Sequence, residues 1–234
     1  MVIVHILSLF PEYFEGPLNA SMLARAQTKG VLTIERTNVR DYATDRYRTV
    51  DDRPYGGGPG MVMKPEPLVS AIREARGCMP EGVRPQVIYP SPQGRPLTPE
   101  LCRELATHEA LIFVCGHYEG IDERVVESEV DQEISIGDYV LTNGCLGTIV
   151  ILDALCRFIP GVLGNDQGAN EDSFENGRFD CPHYTRPEEF EGKRVPEVLL
   201  GGHHAEIEKW REERAVEKMQ RVRPDLYARY KKSQ

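Results

Sequence analysis

The sequence predicts an α/β fold with a mainly parallel sheet and helices on both faces, followed by a small, mostly helical domain. Over residues 1–159, continuously apolar strand-like segments alternate with segments of helical pattern. Parallel strands need a crossover element, and they are apolar along their whole length when both faces are covered. At Pro160 the pattern changes to a stretch rich in glycine, asparagine and aspartate without an apolar period, which is typical of a linker.

The predicted elements of the first part follow a regular order. A helix between the first two strands ends at Gly30. Thr98 is predicted as the N-cap of a later helix, because its side chain can accept a backbone N–H and Pro99 suits the first helical position. The predicted strands are VIVHILSL, VLTIER, QVIYP, ALIFVC and EISI, and the predicted helices are PLNASMLARAQTKG, PEPLVSAIREAR, TPELCRELAT, IDERVVES and GTIVILDALCRFI.

The change at Pro160 also sets the predicted domain boundaries. We predict an α/β domain over residues 1–162, a flexible linker over 163–179 and a helical domain over 180–234. The last domain contains two predicted helices, HAEIEKWREERAVEKMQRVRP and PDLYARYKK.

Composition limits the class of protein. The chain has 234 residues, of which 40% are hydrophobic and 28% charged, as expected of a folded protein with a substantial core. Its apolar N-terminus lacks the basic region and cleavage site of a signal peptide, and no apolar run reaches membrane-spanning length. The six cysteines are scattered without a Cys-x-x-Cys pair, which argues against a disulfide framework and predicts a cytoplasmic protein.

Charge is distributed unevenly along the chain. The net charge of −9 alone argues against a nucleic-acid partner. From Lys193 onward, however, eleven Lys and Arg residues stand against seven Asp and Glu residues. An acidic body with a basic C-terminal part is compatible with one localised contact to a polyanion, and equally with a solvated surface.

Residues 51–63, DDRPYGGGPGMVM, contain four glycines within five consecutive positions. Glycine loses more backbone freedom on folding than any other residue, so a loop of this composition is costly to order. The segment is either a long turn or a place where the backbone passes close to a flat or charged ligand.

Three candidate ligand loops follow predicted strands: YPSPQG (89–94), CGHYEG (115–120) and SIGDYVLTNG (135–144). Ligands of parallel α/β sheets bind at the carboxyl ends of the strands. The chain has neither G-x-G-x-x-G nor Gly-Lys-Ser/Thr, so a dinucleotide or P-loop site is not predicted. Each loop alone could be an ordinary turn, but three loops on consecutive strands favour a shared pocket.

Seven segments resemble, in order, the bacterial tRNA (guanine-37-N1)-methyltransferases of the SPOUT superfamily: DDRPYGGGPGM, SPQG, CGHYEGIDERV, SIGDYVL, RFIPGVLG, EDSF and DCPHYTRP. The resemblance extends from the N-terminal strand to around Trp210. It implies an α/β domain whose C-terminal part passes through a loop as a trefoil knot. It also implies a cytoplasmic homodimer with active sites shared between subunits. S-adenosylmethionine is the implied methyl donor, and the implied partner is the anticodon stem-loop of tRNA, held partly by the C-terminal domain.

The resemblance implies a cofactor pocket made by the three loops. Backbone groups and apolar side chains, which these loops offer, suit an adenine ring. From the sequence alone, core packing explains Tyr139 and Leu141 equally well. The implied pocket residues are Tyr89, Ser91, Pro92, Gln93, Gly94, Gly116, Glu119, Ile136, Gly137, Asp138, Tyr139, Val140, Leu141 and Gly144.

The implied chemistry requires a base at guanine N1 and a cation or donor near O6, because N1 is a poor nucleophile while it is protonated. Asp172 in EDSF matches the family's base, and Arg157 in RFIPG matches its O6 partner. From the residues alone, Asp172 would be interpreted as a solvent-exposed acid in a linker. Arg157 would be interpreted as a charge that complements the dipole at the end of a helix. Pro59 and Gly60 are implied to lie beside the flipped-out guanine, where a side chain would block the base.

No metal site is predicted from the residues. Cys181-Pro182-His183 and His203-His204 are the candidates, and their spacing matches no known zinc motif. The resemblance implies that Mg²⁺ assists the reaction, but it identifies no residue for the ion.

The third loop departs from the usual family pattern, Gly-Gly-Glu-Leu-Pro. Here the sequence is Asn143-Gly144-Cys145-Leu146-Gly147. Asparagine can adopt the left-handed backbone that glycine provides, so Asn143 is compatible with the loop. Loss of the glutamate and the proline removes a charge and a rigid turn, which puts the local shape of the pocket in question.

Two other functions remain open at this point. One is a tRNA-binding protein that kept the fold without catalysis, and methyl transfer to a tRNA transcript would decide against it. The other is a SPOUT enzyme that modifies a ribose 2′-OH or another base nitrogen. The aspartate base and the GGGPG loop favour guanine N1 over the latter.

Overall fold

The structure, a computed structural model, describes residues 1–163 and 172–233. The chain divides into two compact units, Met1–Gly164 and Asn165–Gln234. Residues 164–171, which include the middle of the predicted linker, lie outside the described residues.

The first unit is built on a five-stranded sheet in the order β2-β1-β6-β5-β7, in which every pairing is parallel. The predicted mainly parallel sheet is therefore confirmed. A separate antiparallel pair, β3 with β4, flanks the glycine-rich loop and was not predicted. The strands of this unit are β1 (Val2–Ser8), β2 (Leu32–Asn38), β3 (Asp51–Asp52), β4 (Val62–Met63), β5 (Gln86–Pro96), β6 (Ala110–Val114) and β7 (Gln132–Ser135).

Helices cover both faces of this sheet, as the continuously apolar strands predict. In the central strand β6, Leu111 and Phe113 belong to one hydrophobic cluster while Ile112 and Val114 belong to another. The first cluster contains side chains of α1, α2, α4 and α6, and the second contains side chains of α3 and α5. The helices are α1 (Glu15–Leu18), α2 (Ser21–Thr28), α3 (Pro65–Gly77), α4 (Pro99–Ala106), α5 (Glu123–Glu129) and α6 (Gly144–Cys156).

Local signals account for most helix ends. The Thr98 hydroxyl accepts the Leu101 amide at 3.3 Å and Pro99 is the first residue of α4, so the predicted cap is confirmed. Gly30 has a φ of +68°, a left-handed conformation that glycine adopts without strain. The single helix predicted before Gly30 is instead two helices, α1 and α2, because Ala20 between them is extended, with a φ of −128° and a ψ of 156°.

Strand β5 differs from its prediction, because it continues through the segment expected to be a loop. Its pairing with β7 shifts between Pro90 and Arg95, so the intervening residues form a bulge. Pro90 and Pro92 have no N–H to donate to a ladder, and the Ser91 hydroxyl accepts the Gln93 amide instead. The bulge interrupts regular pairing with β7, which resumes at Arg95.

Gly94 at the end of this bulge lies directly against the backbone of β7. A Cβ atom built on Gly94 would be 2.4 Å from the Ile134 nitrogen. We expect Gly94→Ala to destabilise the protein by about 1–3 kcal/mol, because backbone cannot move aside as a side chain can. Thermal unfolding measures this change. Gly77→Ala is the matched control: nothing lies within 4 Å of its Cβ position and alanine favours a helix over glycine, so stability should stay the same or rise by up to about 1 kcal/mol. Equal melting temperatures for both variants would contradict the packing of this bulge.

The second unit contains a short antiparallel pair and two helices at the positions where the sequence predicts helices. The pair joins β8 (Glu189–Phe190) to β9 (Lys193–Arg194), and the helices are α7 (His204–Val222) and α8 (Pro224–Ser233). Ala215 and Met219 of α7 are fully buried. In the described part of the chain, no helix combines the length and the apolar composition needed to cross a bilayer.

Candidate active site

A pocket opens at the bulge of β5 and at the carboxyl ends of β6 and β7, where the sequence places the three candidate loops. It has about 640 Å³ of empty space, a figure that includes open solvent at its mouth. Its lining residues are Tyr89, Pro90, Ser91, Pro92, Gly116, His117, Tyr118, Glu119, Gly120, Ile134, Ser135, Ile136, Gly137, Tyr139, Val140, Leu141, Asn143, Gly144 and Gly147.

Most of the cofactor residues named from the sequence meet in this pocket. Gln93 and Asp138 are exposed and do not line it, and Gly94 packs against β7 instead. The residues brought together are Tyr89, Ser91, Pro92, Gly116, Glu119, Ile136, Gly137, Tyr139, Val140, Leu141 and Gly144.

Close backbone contact between the end of β6 and the start of α6 forms the floor of the pocket. The Gly144 amide donates to the Gly116 carbonyl at 2.8 Å. A Cβ on Gly144 would lie 3.0 Å from the Gly116 nitrogen, and His117 forms an isolated bridge with Asn143. The two segments can approach so closely because Gly144 carries no side chain.

Asn143 has a different role from the one expected. Its φ of −167° is extended rather than left-handed, and its side chain accepts the Cys145 amide at 2.9 Å. Asn143 is therefore the N-cap of α6, which begins three residues before the predicted helix at Gly147. A Cβ on Gly147 would lie 3.1 Å from the Cβ of Pro90, so the small residue lets α6 approach the bulge of β5.

Tyr89 packs its ring over the glycines of the second loop. A Cβ on Gly116 would lie 2.8 Å from the ring carbon Cε2, and one on Gly120 would lie 3.3 Å from the hydroxyl. Burial raises the pKa of Tyr89 above its ordinary value, so the hydroxyl is neutral at physiological pH and can donate a hydrogen bond.

The glycine-rich loop is anchored beside this pocket. The Met61 carbonyl accepts the Glu119 amide at 3.0 Å, and the Met63 amide donates to the Gly120 carbonyl at 3.0 Å. A Cβ on Gly60 would lie 2.3 Å from the Glu119 carboxylate. Gly60 thus lies against a residue of the pocket wall, and both Gly60 and the neighbouring Pro59 are exposed.

His117 is a pocket residue that the sequence reasoning did not single out, although it lies within the quoted CGHYEG loop. Its ring contacts Phe10 with centroids 5.3 Å apart and Tyr118 with centroids 4.4 Å apart. Burial, followed by the positive charge of Arg40, lowers the pKa of His117, so the imidazole is neutral at pH 7. The other lining residues that were not assigned to the pocket from the sequence are Pro90, Tyr118, Gly120, Ile134, Ser135, Asn143 and Gly147.

The two residues predicted for catalysis lie in different units. Arg157 is the exposed C-cap of α6 in the first unit. Asp172 is half-buried in the second unit, where its carbonyl accepts the Glu175 amide at 3.2 Å. Phe174 has a strained φ of +79° and its ring meets that of Phe179 edge-on, so the chain after Asp172 folds back on itself.

The relationship of this chain to known proteins follows from comparison of the whole sequence. The family profile described as tRNA (Guanine-1)-methyltransferase TrmD matches residues 2–229. The chain belongs to this family. The match spans both units, so it includes the pocket of the first and the EDSF segment of the second.

Individual relatives carry the same description. A tRNA (guanine-N(1)-)-methyltransferase from Protochlamydia amoebophila is 62% identical, over 97% of this chain and 100% of that protein. One from Chlamydia pneumoniae is 55% identical, over 97% of this chain but only 61% of its own length. One from Ralstonia nicotianae is 55% identical, over 94% of this chain and 84% of the relative.

One cluster of metal-type ligands is present among residues 1–163 and 172–233. Donor atoms of Asp180, Cys181 and His183 lie within 4.8 Å of one another. The ring nitrogen Nε2 of His183 is 2.7 Å from the Asp180 carboxylate, and the other carboxylate oxygen accepts the Cys181 amide. These hydrogen bonds already satisfy the cluster, so we assign it a structural role in holding the turn that follows the EDSF segment.

Proposed function

We propose that this protein is a tRNA (guanine-N1)-methyltransferase that moves the methyl group of S-adenosylmethionine to N1 of guanine 37, beside the anticodon. Family membership over residues 2–229 supports the reaction class. The observation that carries the proposal is the pocket at the bulge of β5 and the carboxyl ends of β6 and β7, because all three of the predicted cofactor loops converge there.

The pocket has the chemistry that an adenosine group requires. Gly116, Gly137 and Gly144 expose backbone to its interior, while Tyr139, Val140 and Leu141 supply apolar surface along one loop. Val140 is 81% exposed, so apolar area is available there for a ligand to cover. When bound, S-adenosylmethionine supplies a methyl group already activated by its sulfonium.

The protein's part in the chemistry is to make guanine N1 nucleophilic. We assign the removal of the N1 proton to Asp172 and the stabilisation of the charge that develops at O6 to Arg157. The match of EDSF and RFIPG to the family pattern supports both roles. The glycine-rich loop is anchored beside the pocket, and Gly60 lies next to the pocket residue Glu119. This position supports the proposal that the flipped-out guanine binds at Pro59 and Gly60.

We further propose that the enzyme works as a cytoplasmic homodimer with a knotted cofactor domain and shared active sites. Exposed apolar side chains on α6, Leu146 and Val150, support a subunit contact beside the pocket. The basic C-terminal part, beginning at Lys193, supports a role of the second unit in holding the anticodon stem-loop. Mg²⁺ assistance is part of the proposal without an assigned site.

Sharing of the active site predicts complementation between two inactive variants. Asp172→Ala lacks the base, and Gly116→Val has a cofactor pocket too weak to fill when the concentration of S-adenosylmethionine is limiting. If each site combines Asp172 of one subunit with the pocket of the other, a mixed dimer contains one intact site and one doubly defective site. We expect subunit exchange to restore activity, up to about half of the wild-type rate per mixed dimer. Absence of any activity after verified exchange would contradict a shared site.

The experiment that tests the reaction class is transfer of a labelled methyl group to a tRNA transcript. The purified protein should transfer the label from S-adenosylmethionine, and Gly116→Val should transfer much less when the concentration of S-adenosylmethionine is limiting. Tight tRNA binding without any transfer would favour the non-catalytic alternative. A label found on a ribose hydroxyl would favour a SPOUT enzyme with another target.

A further inference from the structure

Two buried thiols lie directly behind the pocket floor. Cys115 follows the last residue of β6 and is 2% exposed, and Cys145 is the second residue of α6 and is 1% exposed. Their chain neighbours Gly116 and Gly144 both line the pocket. None of the proposed steps of methyl transfer uses either thiol.

The backbones that carry the two thiols are in direct contact. A Cβ on Gly144 would lie 3.1 Å from the Cα of Cys115, and the Gly144 amide is bonded to the Gly116 carbonyl. Disulfides require Cα atoms within about 7 Å of one another. The contact between Gly144 and the Cα of Cys115 places the two cysteines on directly adjoining backbone segments.

Hydroxyl groups surround the pair on both sides. The Ser8 hydroxyl is 3.3 Å from the Cys145 sulfur, and the Thr148 hydroxyl is 3.2 Å from the Cys115 sulfur. Each hydroxyl can donate a hydrogen bond to a thiolate and so stabilise the reactive form. Cys145 also lies in the first turn of α6, where the helix dipole favours negative charge.

The acidity of Cys145 distinguishes it from the other buried cysteines. Its interaction with Cys115 and the hydrogen bond from Ser8 lower the pKa of Cys145 to about 7, against the opposing effect of burial. Burial raises the pKa of Cys102 to about 11 and that of Cys156 to about 12. Burial also raises the pKa of Cys115. Because the thiolate is the nucleophile, Cys145 is the member of the pair that reacts first.

We propose that Cys145 and Cys115 form an oxidation site for peroxides, in which Cys145 is the attacking thiol and Cys115 the resolving thiol. The Cys145 thiolate attacks one oxygen of hydrogen peroxide, the O–O bond breaks, and the departing hydroxide takes a proton to become water. The Cys115 thiol then attacks the sulfur of the resulting sulfenic acid, forming the S–S bond as a second water leaves with the Cys115 proton. Two thiols and one peroxide thus give one disulfide and two waters.

The disulfide would join the chain neighbours of two pocket glycines. Reorienting Gly116 and Gly144 displaces the backbone groups that face a ligand. This consequence rests on the proposed function, in which the pocket binds S-adenosylmethionine. We expect the oxidised protein to bind that ligand more weakly by on the order of tenfold, the loss expected when one backbone hydrogen bond is misplaced. Dithiothreitol should restore the affinity.

Mass spectrometry after peroxide treatment tests the site independently of the ligand. The whole protein is treated with hydrogen peroxide, blocked with an alkylating agent under denaturing conditions and digested with trypsin without reduction. We expect a cross-link between peptide 104–124, which holds Cys115, and peptide 125–157, which holds Cys145 and Cys156. Fragmentation assigns the bond, because the second peptide has two candidates.

Matched variants separate this pair from the other cysteines. Cys145→Ser and Cys115→Ser should each abolish the cross-link, and Cys145→Ala repeats the test if the serine variant folds poorly. Cys156→Ser should leave the cross-link unchanged. A cross-link that persists in Cys145→Ser, or peroxide treatment that leaves both thiols reduced in the folded wild type, would overturn the proposal. If the cross-link forms but affinity for S-adenosylmethionine does not change, the oxidation site stands and its connection to the cofactor pocket fails.

Discussion

Replacing Asp172 with asparagine should lower the single-turnover rate of methyl transfer by about 10²–10⁴-fold, the usual contribution of a positioned base. The amide keeps the size of the side chain and much of its hydrogen bonding, but it cannot accept the N1 proton. Affinity for S-adenosylmethionine should stay nearly unchanged, because the proposed pocket residues all belong to the first unit. Affinity for tRNA should change only modestly.

Rapid-quench kinetics at saturating tRNA distinguishes this role from a structural one. If Asp172 only ordered its segment, the loss would appear in tRNA affinity and would disappear at saturation. Glu175→Gln is the matched control, because it removes a carboxylate three residues further along the same segment and should leave the single-turnover rate unchanged. A wild-type rate for Asp172→Asn at saturating tRNA would remove Asp172 from the mechanism and leave Arg157 without a reaction to assist.

Replacing Gly116 with valine should weaken binding of S-adenosylmethionine by about 10–100-fold. A Cβ at this position lies 2.8 Å from the Tyr89 ring, so the new side chain must push either that ring or itself into the pocket. Overpacking of this kind typically costs about 1–3 kcal/mol. Two causes would lower the affinity for S-adenosylmethionine. The valine side chain would occupy the space predicted for adenosine, and it would also displace the Tyr89 ring.

Calorimetry with a graded series measures this effect. Gly116→Ala should have a smaller effect than Gly116→Val, because its side chain lacks the two additional methyl groups. Gly77→Ala should bind as the wild type does, since Gly77 ends α3 and has open space around it. Wild-type affinity in Gly116→Val would contradict the assignment of this pocket to the methyl donor.

The regular part of the fold could be predicted because its signals are local. Apolar runs such as Ala110–Val114 reveal strands covered on both faces, and Thr98 with Pro99 marks a helix start. The bulge in β5 and the short pair β3–β4 could not be predicted. Both depend on which strand lies alongside, and a sequence pattern does not contain that information.

The location of the pocket could also be predicted, because it follows from the loops that come after the strands. Loops that follow parallel strands meet at one edge of the sheet, so three of them indicate a shared pocket. The capping role of Asn143 was missed, because it depends on where α6 begins relative to the end of β6. The proximity of Cys115 and Cys145 was missed as well, since they are thirty positions apart in the chain and only the folded backbone brings their segments together.

Locating the methyl group in tRNA tests most directly the central claim that the protein methylates N1 of guanine 37. The purified protein is incubated with S-adenosylmethionine and with transcripts that differ only in having guanine or adenine at position 37. A methyl group on guanine N1 blocks base pairing, so primer extension locates it and nucleoside chromatography identifies it. We predict 1-methylguanosine at position 37 of the guanine transcript and no methylated product from the adenine transcript. Methylation at another position or on a ribose hydroxyl, or equal product from both transcripts, would contradict this claim.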